Sequence, residues 1–447
     1  MKLLASWFFT FFLSASLCAQ GGFVFEGNKT HATLPFQLVN NLIIVPLTVN
    51  GAKLNFLLDT GVSETLIFSL DEAKDVIFSE SQAVKMKGFG IKEDFTAYKC
   101  KNNSISFKNY ADKNHIIYLV LDQEINISSQ VGITVNGIIG YHFFKNNLVK
   151  INFESKKISV FKPSLKELIK LEKTYKKVVI EVENFKPYCT ALVNFEQQLQ
   201  PMSAKVLIDT GNSDALWLFK ETDNRIEVPT LQITDYLGRG LNGDVFGKRG
   251  RVKSLQISDF ILPKPIVSFP DSLHTNSISL AKNRVGSIGS EMIKRFNVIF
   301  DYQSSVLYLK KNNLFRNPFD LNKSGIEVHH QGLQWTTEAF EISPALAPII
   351  IDSNNDRDVN NFHHTLKYKF ELKPIFVISQ VRKGSQAEKI GILKEDVLVY
   401  INNELASNFT LQEITNLLKG DENRTINLQI ERKGVLKNFS FQLKSIL

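Results

Sequence analysis

Phe56–Phe68 reads FLLDTGVSETLIF, and Val206–Phe219 reads VLIDTGNSDALWLF. Both stretches run from apolar residues into Asp-Thr-Gly-x-Ser and then return to apolar residues that end in Phe. Their aspartates, Asp59 and Asp209, are 150 residues apart. A single Asp-Thr-Gly is most often a surface turn, but two copies in the same apolar frame indicate an internal repeat.

The repeat continues in a glycine element downstream of each aspartate. The first half carries GIIG at Gly137–Gly140, and the second carries GSIG at Gly286–Gly289. Gly140 and Gly289 are 149 residues apart, so the offset between the two halves changes by one residue. The pairing predicts two similar lobes, each with one aspartate turn and one glycine element packed against it.

The sequence around these motifs is mostly typical of β-strands. Alternating and β-branched residues predict strands in NLIIVPLTVN, SISFKNY, HIIYLVL, KKVVIEVENF and KSLQISDFIL. Asn50-Gly51 predicts a tight hairpin turn. Short helices are predicted over Tyr141–Asn147 and Ser290–Phe296, and another helix is predicted to begin at Ser164 with a Ser-x-x-Glu capping pattern.

Two lobes that each supply one aspartate from a turn can bring the carboxylates face to face at the seam. Carboxylates held about 3 Å apart share a proton, so the pKa of one rises and the pKa of the other falls. The ionised carboxylate can take a proton from water, and the protonated one can donate to a carbonyl oxygen. Gly61 and Gly211 allow a close approach of the turns, and Thr60 and Thr210 can hydrogen-bond across the seam.

These motifs resemble those of pepsin-like and retropepsin-like aspartic proteases, here as two lobes in one chain. The resemblance implies a mostly β fold with a pair of β-barrel lobes, lobe 1 over residues 36–162 and lobe 2 over residues 179–312. A connector covers residues 163–178. Because both lobes lie in one chain, a monomer is sufficient to build the site.

The resemblance also implies an activity and a set of site residues. Asp59 and Asp209 hydrolyse peptide bonds of a polypeptide substrate, with no cofactor and no metal. The supporting residues are Thr60, Gly61, Thr210, Gly211, Gly140 and Gly289. A non-catalytic peptide-binding protein on the same scaffold is the alternative.

Such enzymes cover the substrate cleft with a mobile hairpin that contains glycine. Two segments match this description, KGFGIKED at Lys87–Asp94 and YLGRGLNGD at Tyr236–Asp244. The candidate flap residues within them are Gly88, Phe89, Gly90, Gly238 and Gly240.

Three positions depart from the pattern of pepsins. Val62 and Asn212 stand where pepsins carry Ser or Thr, whose hydroxyl groups donate to the outer carboxylate oxygens. Loss of these donors should raise the pKa values of the pair, so we expect a milder pH optimum than that of pepsin. Ser287 stands in the second glycine element where an apolar residue is usual.

The last third of the chain carries a different pattern. FVISQVRKGSQAEKIGILKEDVLVYINNE at Phe376–Glu404 is followed by an amphipathic helix predicted over Phe409–Leu418 and by two closing strands. The segment resembles a PDZ domain, an α+β fold, over residues 324–447. Its first strand is expected at Gly325–His330, followed by an insertion around residues 333–372.

A PDZ domain implies a possible peptide ligand, which adds a strand beside the helix. The loop that receives the carboxylate of such a ligand is expected just before Phe376, where Lys373-Pro374-Ile375 lacks the usual glycines. The alternative, given equal weight, is a domain that packs on the protease lobes or holds substrates loosely.

The N-terminus, MKLLASWFFTFFLSASLCAQ, has one lysine, an apolar run and then small residues. This pattern predicts a secretory signal peptide over residues 1–19. The apolar run is shorter than the roughly 18 residues that a spanning helix needs, so we expect no stable membrane span. The expected location is secreted or periplasmic.

The remaining composition indicates a globular protein of two or three domains. The 447 residues have a formal net charge of +8, but the cations do not form a block that would indicate nucleic-acid binding. Cys100 and Cys189 are expected in different lobes, where a disulfide is not favoured. The adjacent histidines at 329–330 and 363–364 do not have the spacing of metal ligands.

Overall fold

A computed structural model describes most of the chain. The described residues are 22–70, 76–86, 95–121, 125–241, 243–272, 281–341 and 366–447. The predicted signal peptide and the first flap candidate, Gly88, Phe89 and Gly90, lie outside these ranges. Among the described residues, no helix has the length and apolar character required to cross a bilayer.

The first half of the chain folds into short strands and two short helices. They are β1 (Val24–Phe25), β2 (His31–Pro35), β3 (Gln37–Val39), β4 (Leu42–Val49), β5 (Ala52–Leu58), β6 (Thr65–Ile67), β7 (Ser81–Met86), β8 (Phe95–Phe107), β9 (Tyr110–Val120), α1 (Ile127–Val131), β10 (Gly137–Ile139), α2 (Tyr141–Phe144), β11 (Leu148–Asn152) and β12 (Lys157–Phe161).

The second half follows a connecting helix and repeats the pattern. Its elements are α3 (Leu165–Thr174), β13 (Lys176–Val179), β14 (Glu181–Glu183), β15 (Lys186–Asn194), β16 (Met202–Ile208), β17 (Leu216–Leu218), β18 (Gln232–Gly240), β19 (Gly243–Arg251), β20 (Ser254–Ile257), β21 (Phe260–Pro263), β22 (Ile266–Pro270), β23 (Arg284–Ile288), α4 (Ser290–Ile293), β24 (Phe296–Asp301) and β25 (Val306–Lys311).

The C-terminal part forms a separate sheet with two helices. Its elements are β26 (Ile326–Glu341), β27 (Leu366–Val381), α5 (Gln386–Lys389), β28 (Val397–Ile401), β29 (Glu404–Leu405), α6 (Leu411–Lys419), β30 (Thr425–Arg432) and β31 (Val435–Gln442).

The two halves share one strand arrangement around the aspartate turns. In the first half, β10 runs parallel to β5 and antiparallel to β6. In the second half, β23 runs parallel to β16 and antiparallel to β17. In both cases the glycine element lies between the strand that precedes the aspartate and the strand that follows it. The sequence repeat is therefore a repeat of structure.

A six-stranded sheet joins the two halves, in the order β13-β25-β24-β11-β12-β2. Its central pairing is between β11 of the first half and β24 of the second, with Val149 opposite Phe300. Both side chains are fully buried, so the halves share a continuous core. Two strands of this sheet, β2 and β13, include residues outside the lobe boundaries expected from the sequence. Those boundaries stay a prediction.

Several local predictions agree with the structure. Asn50 and Gly51 both have positive φ between β4 and β5, as a two-residue hairpin turn requires. Ser164 caps α3, and Glu167 reaches back to it in a capping box. The helices after the glycine elements end earlier than predicted, at Phe144 and Ile293.

The C-terminal sheet differs in detail from the expected PDZ-like layout. The strand predicted at Gly325–His330 continues to Glu341, and β27 begins at Leu366. Residues 333–341 and 366–372 of the expected insertion therefore pair as a long hairpin, and residues 342–365 lie outside the described ranges. Because this pairing satisfies backbone hydrogen bonds in the ladder, the hairpin is a regular extension of the sheet.

The shared sheet is a testable support of the fold. Ile151 on β11 is fully buried, so Ile151→Ala should lower the free energy of unfolding by roughly 2–5 kcal/mol through lost burial and a cavity. Urea denaturation measures the change. Ile261→Ala on β21 is the control, because Ile261 is 56% exposed. Equal losses in the two variants would contradict the assignment of the core to this sheet.

Candidate active site

The backbone of each glycine element holds the aspartate that faces it. Asp59 N–H donates to Ile139 O at 2.9 Å, and Asp209 N–H donates to Ile288 O at 2.9 Å. Each aspartate therefore begins its turn at a fixed point of its own sheet. The two turns meet where the sheets of the two halves approach each other.

Four hydrogen bonds tie the turns together across the seam. Thr60 N–H donates to Thr210 Oγ1 and Thr210 N–H donates to Thr60 Oγ1, both at 3.0 Å. The hydroxyl groups donate onward to the opposite strands, Thr60 to Ile208 O at 2.6 Å and Thr210 to Leu58 O at 2.8 Å. Both threonines are buried, so these bonds replace water contacts and fix the spacing of the turns.

Glycine is required at the two positions where the carboxylate of one turn lies next to the backbone of the other turn. A Cβ on Gly211 would lie 2.2 Å from Asp59 Oδ2, and a Cβ on Gly61 would lie 2.8 Å from Asp209 Oδ1. Each carboxylate therefore lies against the glycine of the opposite turn. The N–H of Gly61 also donates to Asp59 Oδ1 at 2.6 Å, and that of Gly211 donates to Asp209 Oδ1 at 3.1 Å.

The downstream glycines pack on the same turns. A Cβ on Gly140 would lie 2.1 Å from Val62 O, and a Cβ on Gly289 would lie 2.3 Å from Asp214 O. Real Cβ atoms do not approach backbone oxygen so closely. The structure thus brings Gly140 and Gly289 into contact with the turns that carry the aspartates.

Burial raises the pKa of both aspartates. For Asp59, the negative charge of Asp209 and a hydrogen bond between the two carboxylates raise the pKa further. For Asp209, the positive charge of Arg284 and the hydrogen bond with Asp59 oppose the effect of burial on its pKa. The nearby cation thus counters the effect of burial at Asp209, whereas at Asp59 the charge of the neighbouring carboxylate adds to it, so the rise in pKa is favoured on Asp59.

Arg284 was not among the residues identified from the sequence. It is buried on β23, where its Nη2 donates to Ser287 Oγ at 2.7 Å and its Nε donates to Gly286 O at 3.1 Å. Ser287 is thus polar because it receives a hydrogen bond from the arginine. A charged residue two positions before the glycine element was the available signal in the sequence.

The two residues that replace the usual hydroxyl donors have other roles. Val62 lies partly buried in an apolar cluster with Ile44, Leu57 and other residues of the first half. Asn212 uses its side-chain oxygen to accept from Asp214 N–H at 2.9 Å. Burial gives both carboxylates raised pKa values, the direction expected from the missing hydroxyl donors, whereas the predicted fall of the pKa of one of them is wrong.

The second flap candidate is a β-hairpin. β18 and β19 pair from Gln232 to Gly240, and Gly238 has a φ of +133°, which favours glycine. Leu241 at the end of this hairpin packs against the apolar cluster of the first half. The hairpin of one lobe therefore reaches the other lobe. The first candidate lies between Met86, the last residue of β7, and Phe95, the first residue of β8, and these two residues pair.

Comparison with known families assigns two segments of the chain. Residues 45–143 match a family model described as aspartyl protease, and residues 377–432 match one described as PDZ domain. The chain contains an aspartyl protease domain and a PDZ domain. The first match includes the turn of Asp59 and the glycine element of the first half, and the structural repeat extends the same arrangement to Asp209.

Comparison with solved structures finds a crystal structure of aspartic proteinase from Irpex lacteus. The match has a TM-score of 0.40 and 12% sequence identity, and it covers 64% of this chain and 99% of that chain. Comparison with curated proteins finds no match.

The PDZ domain packs on both lobes of the aspartyl protease part. α1 of the first lobe lies against β26, and a Cβ on Gly132 would lie 2.6 Å from the Cβ of Leu411 at the start of α6. On the other side, Arg382 forms an ion pair with Asp235 on β18. These contacts support the interpretation of a domain that packs on the protease.

The expectation of a carboxylate-receiving loop just before Phe376 is wrong, because Lys373-Pro374-Ile375 lie within β27 and pair with β26. Phe376 pairs with His330 on β26 and with Leu398 on β28. A strand that is paired on both sides has no free hydrogen bonds for an added peptide strand. The edge of this sheet next to α6 is β26, so Lys373-Pro374-Ile375 does not lead into an edge strand.

The structure also describes the two cysteines that follow the predicted signal peptide. Cys100 and Cys189 are buried free thiols. Within the described ranges, no group of three His, Cys, Asp or Glu side chains is arranged to hold a metal ion.

The hydroxyl groups at the seam should contribute measurably to stability. Thr60→Val keeps the shape of the side chain but leaves Thr210 N–H and Ile208 O without their partner, which should cost about 1–3 kcal/mol of unfolding free energy. Thr60→Ser keeps the hydroxyl and serves as the matched control. Urea denaturation of both variants measures the difference, and equal stability of Val and Ser would refute the role of the seam bonds.

The raised pKa of Asp59 predicts a pH-dependent effect on stability. An unfolded aspartate has a pKa of about 4, and below this pH protonated Asp59 makes its full contribution to the free energy of unfolding. That contribution is lost as the pH rises through the higher pKa of Asp59 in the folded protein. The asparagine in Asp59→Asn cannot ionise, so the melting temperature of this variant should be higher than that of the wild type at pH 7 and close to it at pH 4. The exposed Asp421→Asn is the control in thermal melts. A difference that does not depend on pH would contradict this electrostatic origin.

Proposed function

We propose that this chain is an aspartic endopeptidase that hydrolyses peptide bonds with a water molecule activated between Asp59 and Asp209. The observation that carries the proposal is that the threonine bonds of the seam place the buried carboxylate of Asp59 against the partly buried carboxylate of Asp209. A pair in this arrangement can act as base and acid in the same step. A purely structural pair of buried aspartates would raise the cost of folding without a compensating role.

In the proposed mechanism, the two aspartates have different roles. Asp209, with the positive charge of Arg284 nearby, is the ionised member and takes a proton from the water. Asp59 is the protonated member and donates its proton to the carbonyl oxygen as the water oxygen bonds to the carbonyl carbon. Asp209, now protonated, then donates its proton to the amide nitrogen while a hydroxyl group of the tetrahedral intermediate returns a proton to Asp59, and the C–N bond breaks to release the two peptides.

The cellular setting is part of the proposal. We propose that residues 1–19 direct the protein out of the cytoplasm, so that it acts as a secreted or periplasmic enzyme on polypeptide substrates. One chain supplies both aspartates, so a monomer is sufficient. The PDZ domain, which contacts both lobes, is proposed to regulate the protease part or to help hold substrate.

Cleavage of casein from pH 3 to 8 tests the proposed activity. The wild type should cleave with an optimum milder than that of pepsin, because both aspartates have raised pKa values. Asp59→Asn and Asp209→Asn should each lose at least about a thousandfold in rate, as expected when one member of a catalytic pair is removed. Pepstatin should inhibit the wild type.

The controls separate loss of chemistry from loss of folding. Circular dichroism and thermal melts establish that the Asn variants are folded. Cleavage that survives either substitution would mean that this pair is not the catalytic site. A folded wild type that cleaves nothing under these conditions would favour the peptide-binding alternative on the same scaffold.

A further inference from the structure

A buried ion pair joins the PDZ domain to the second lobe. Arg382 Nε donates to Asp235 Oδ1 at 2.9 Å, and its Nη2 donates to Asp235 Oδ2 at 3.0 Å. The exposed fractions of the two side chains are 3% and 6%. The pair is thus bidentate and shielded from water, the geometry in which an Arg–carboxylate contact is strongest.

The same aspartate contacts a second buried arginine. Arg249 Nε lies 3.0 Å from Asp235 Oδ2, and Arg249 Nη1 donates to Asp214 Oδ2 at 2.8 Å. Arg382, Asp235, Arg249 and Asp214 therefore form a row of alternating charges. Within the row each charge has a neighbour of opposite sign, and the partly buried acidic side chain of Glu327 lies near Asp235 and both arginines. Removal of one member leaves a buried charge without compensation.

The row ends in the loop that carries the catalytic aspartate of the second lobe. Asp214 is five residues after Asp209, and its backbone oxygen touches the position of Gly289. Its carboxylate also accepts from Trp217 Nε1 at 2.7 Å and from Ser268 Oγ at 2.8 Å. Asp214 is thus the point where this loop is fixed to the sheet below it.

At its other end the row reaches the segment before β26. Arg382 Nη1 donates to Asn322 O at 2.8 Å, and Arg382 N–H donates to Gly325 O at 2.7 Å. Asn322 in turn accepts from Ser324 N–H at 3.1 Å through its side-chain oxygen. The arginine is therefore held in place by the PDZ domain before it contacts the protease lobe.

We propose that Arg382 of the PDZ domain is a positioning residue for the loop that carries Asp209, acting through Asp235, Arg249 and Asp214. The proposal rests on the proposed peptidase function for its kinetic consequence. It assigns the PDZ domain a direct part in the geometry of the active site. Without the Arg382 contact, Arg249 is the one remaining arginine of the row beside Asp235. We expect Arg249 then to shift relative to Asp214, which changes the position of the loop that carries Asp209.

Arg382→Gln in the full chain tests this role. Misplacement of a catalytic loop lowers the rate of chemistry more than the binding of substrate. We expect kcat per active site to fall roughly tenfold to a hundredfold with KM within about twofold, and Arg382→Lys to recover part of the loss. Titration with pepstatin counts the active sites, so that a smaller folded fraction does not appear as a slower enzyme.

Arg432→Gln is the matched control. Arg432 also makes a bidentate pair with a buried aspartate, Asp396, at 2.6 Å for both bonds, but this pair lies within the PDZ domain. A general loosening of the PDZ domain should affect both variants. A specific effect through Asp235 should affect the Arg382 variant alone.

A second readout does not depend on activity. Trp217 bonds directly to Asp214, so the ¹⁹F NMR signal of 5-fluorotryptophan at position 217 should shift in Arg382→Gln and not in Arg432→Gln. A Trp335→Phe variant assigns the signals of the protein without its signal peptide. The exposed Trp335 lies in the PDZ hairpin and reports a general change in that domain.

The outcomes are distinct. A fall in kcat and a shift of the Trp217 signal in the Arg382 variant alone support the proposal. Unchanged kcat per site and an unchanged signal in Arg382→Gln overturn it, and so do equal changes in both variants. A wild type without peptidase activity refutes the proposed function, while the Trp217 signal still decides whether Arg382 acts on the loop.

Discussion

The reciprocal hydrogen bonds between Thr60 and Thr210 are the constraint on which the site depends. Each threonine accepts the backbone N–H of the other and donates to a strand of the opposite half. The separation of the two carboxylates is therefore set by the backbones of two sheets and not by flexible side chains, which is how a site is kept ready for chemistry. The glycine contacts at Gly61 and Gly211 are a consequence, because only residues without Cβ fit between turns held so close.

Burial raises the pKa values of the aspartate pair and also lowers the stability of the folded protein. The removal of water raises the pKa of both aspartates and disfavours a doubly ionised pair. The extensive core of the six-stranded sheet offsets this cost. Buried ion pairs add less to stability than to the choice of one arrangement, and the contacts of Asp235 with Arg249 and Arg382 define how the PDZ domain meets the second lobe.

Local features of the fold were accessible from the sequence because they depend on neighbouring residues. Asn50-Gly51 forms its turn because both residues tolerate positive φ. Ser164 caps a helix because its side chain accepts from the N–H of Glu167, three residues later, and the Glu167 side chain accepts from the N–H of Ser164. The loop expected before Phe376 was wrong for the opposite reason. Which side of the strand at Phe376 is free depends on β26, a strand contributed by residues about 50 positions earlier in the chain, and strand order is not a local property.

The sequence by itself determined the repeat, the two aspartate turns and the glycines and threonines that accompany them, because the same local geometry is needed twice and is written twice. Only the tertiary structure decided which charges surround the pair. Arg284 influences Asp209 from a strand 75 residues downstream, and Arg382 reaches Asp235 across 147 residues. Such partners have no common period or motif. They are selected by where the sheets place them, and low solvent exposure at that place is what makes their charges effective.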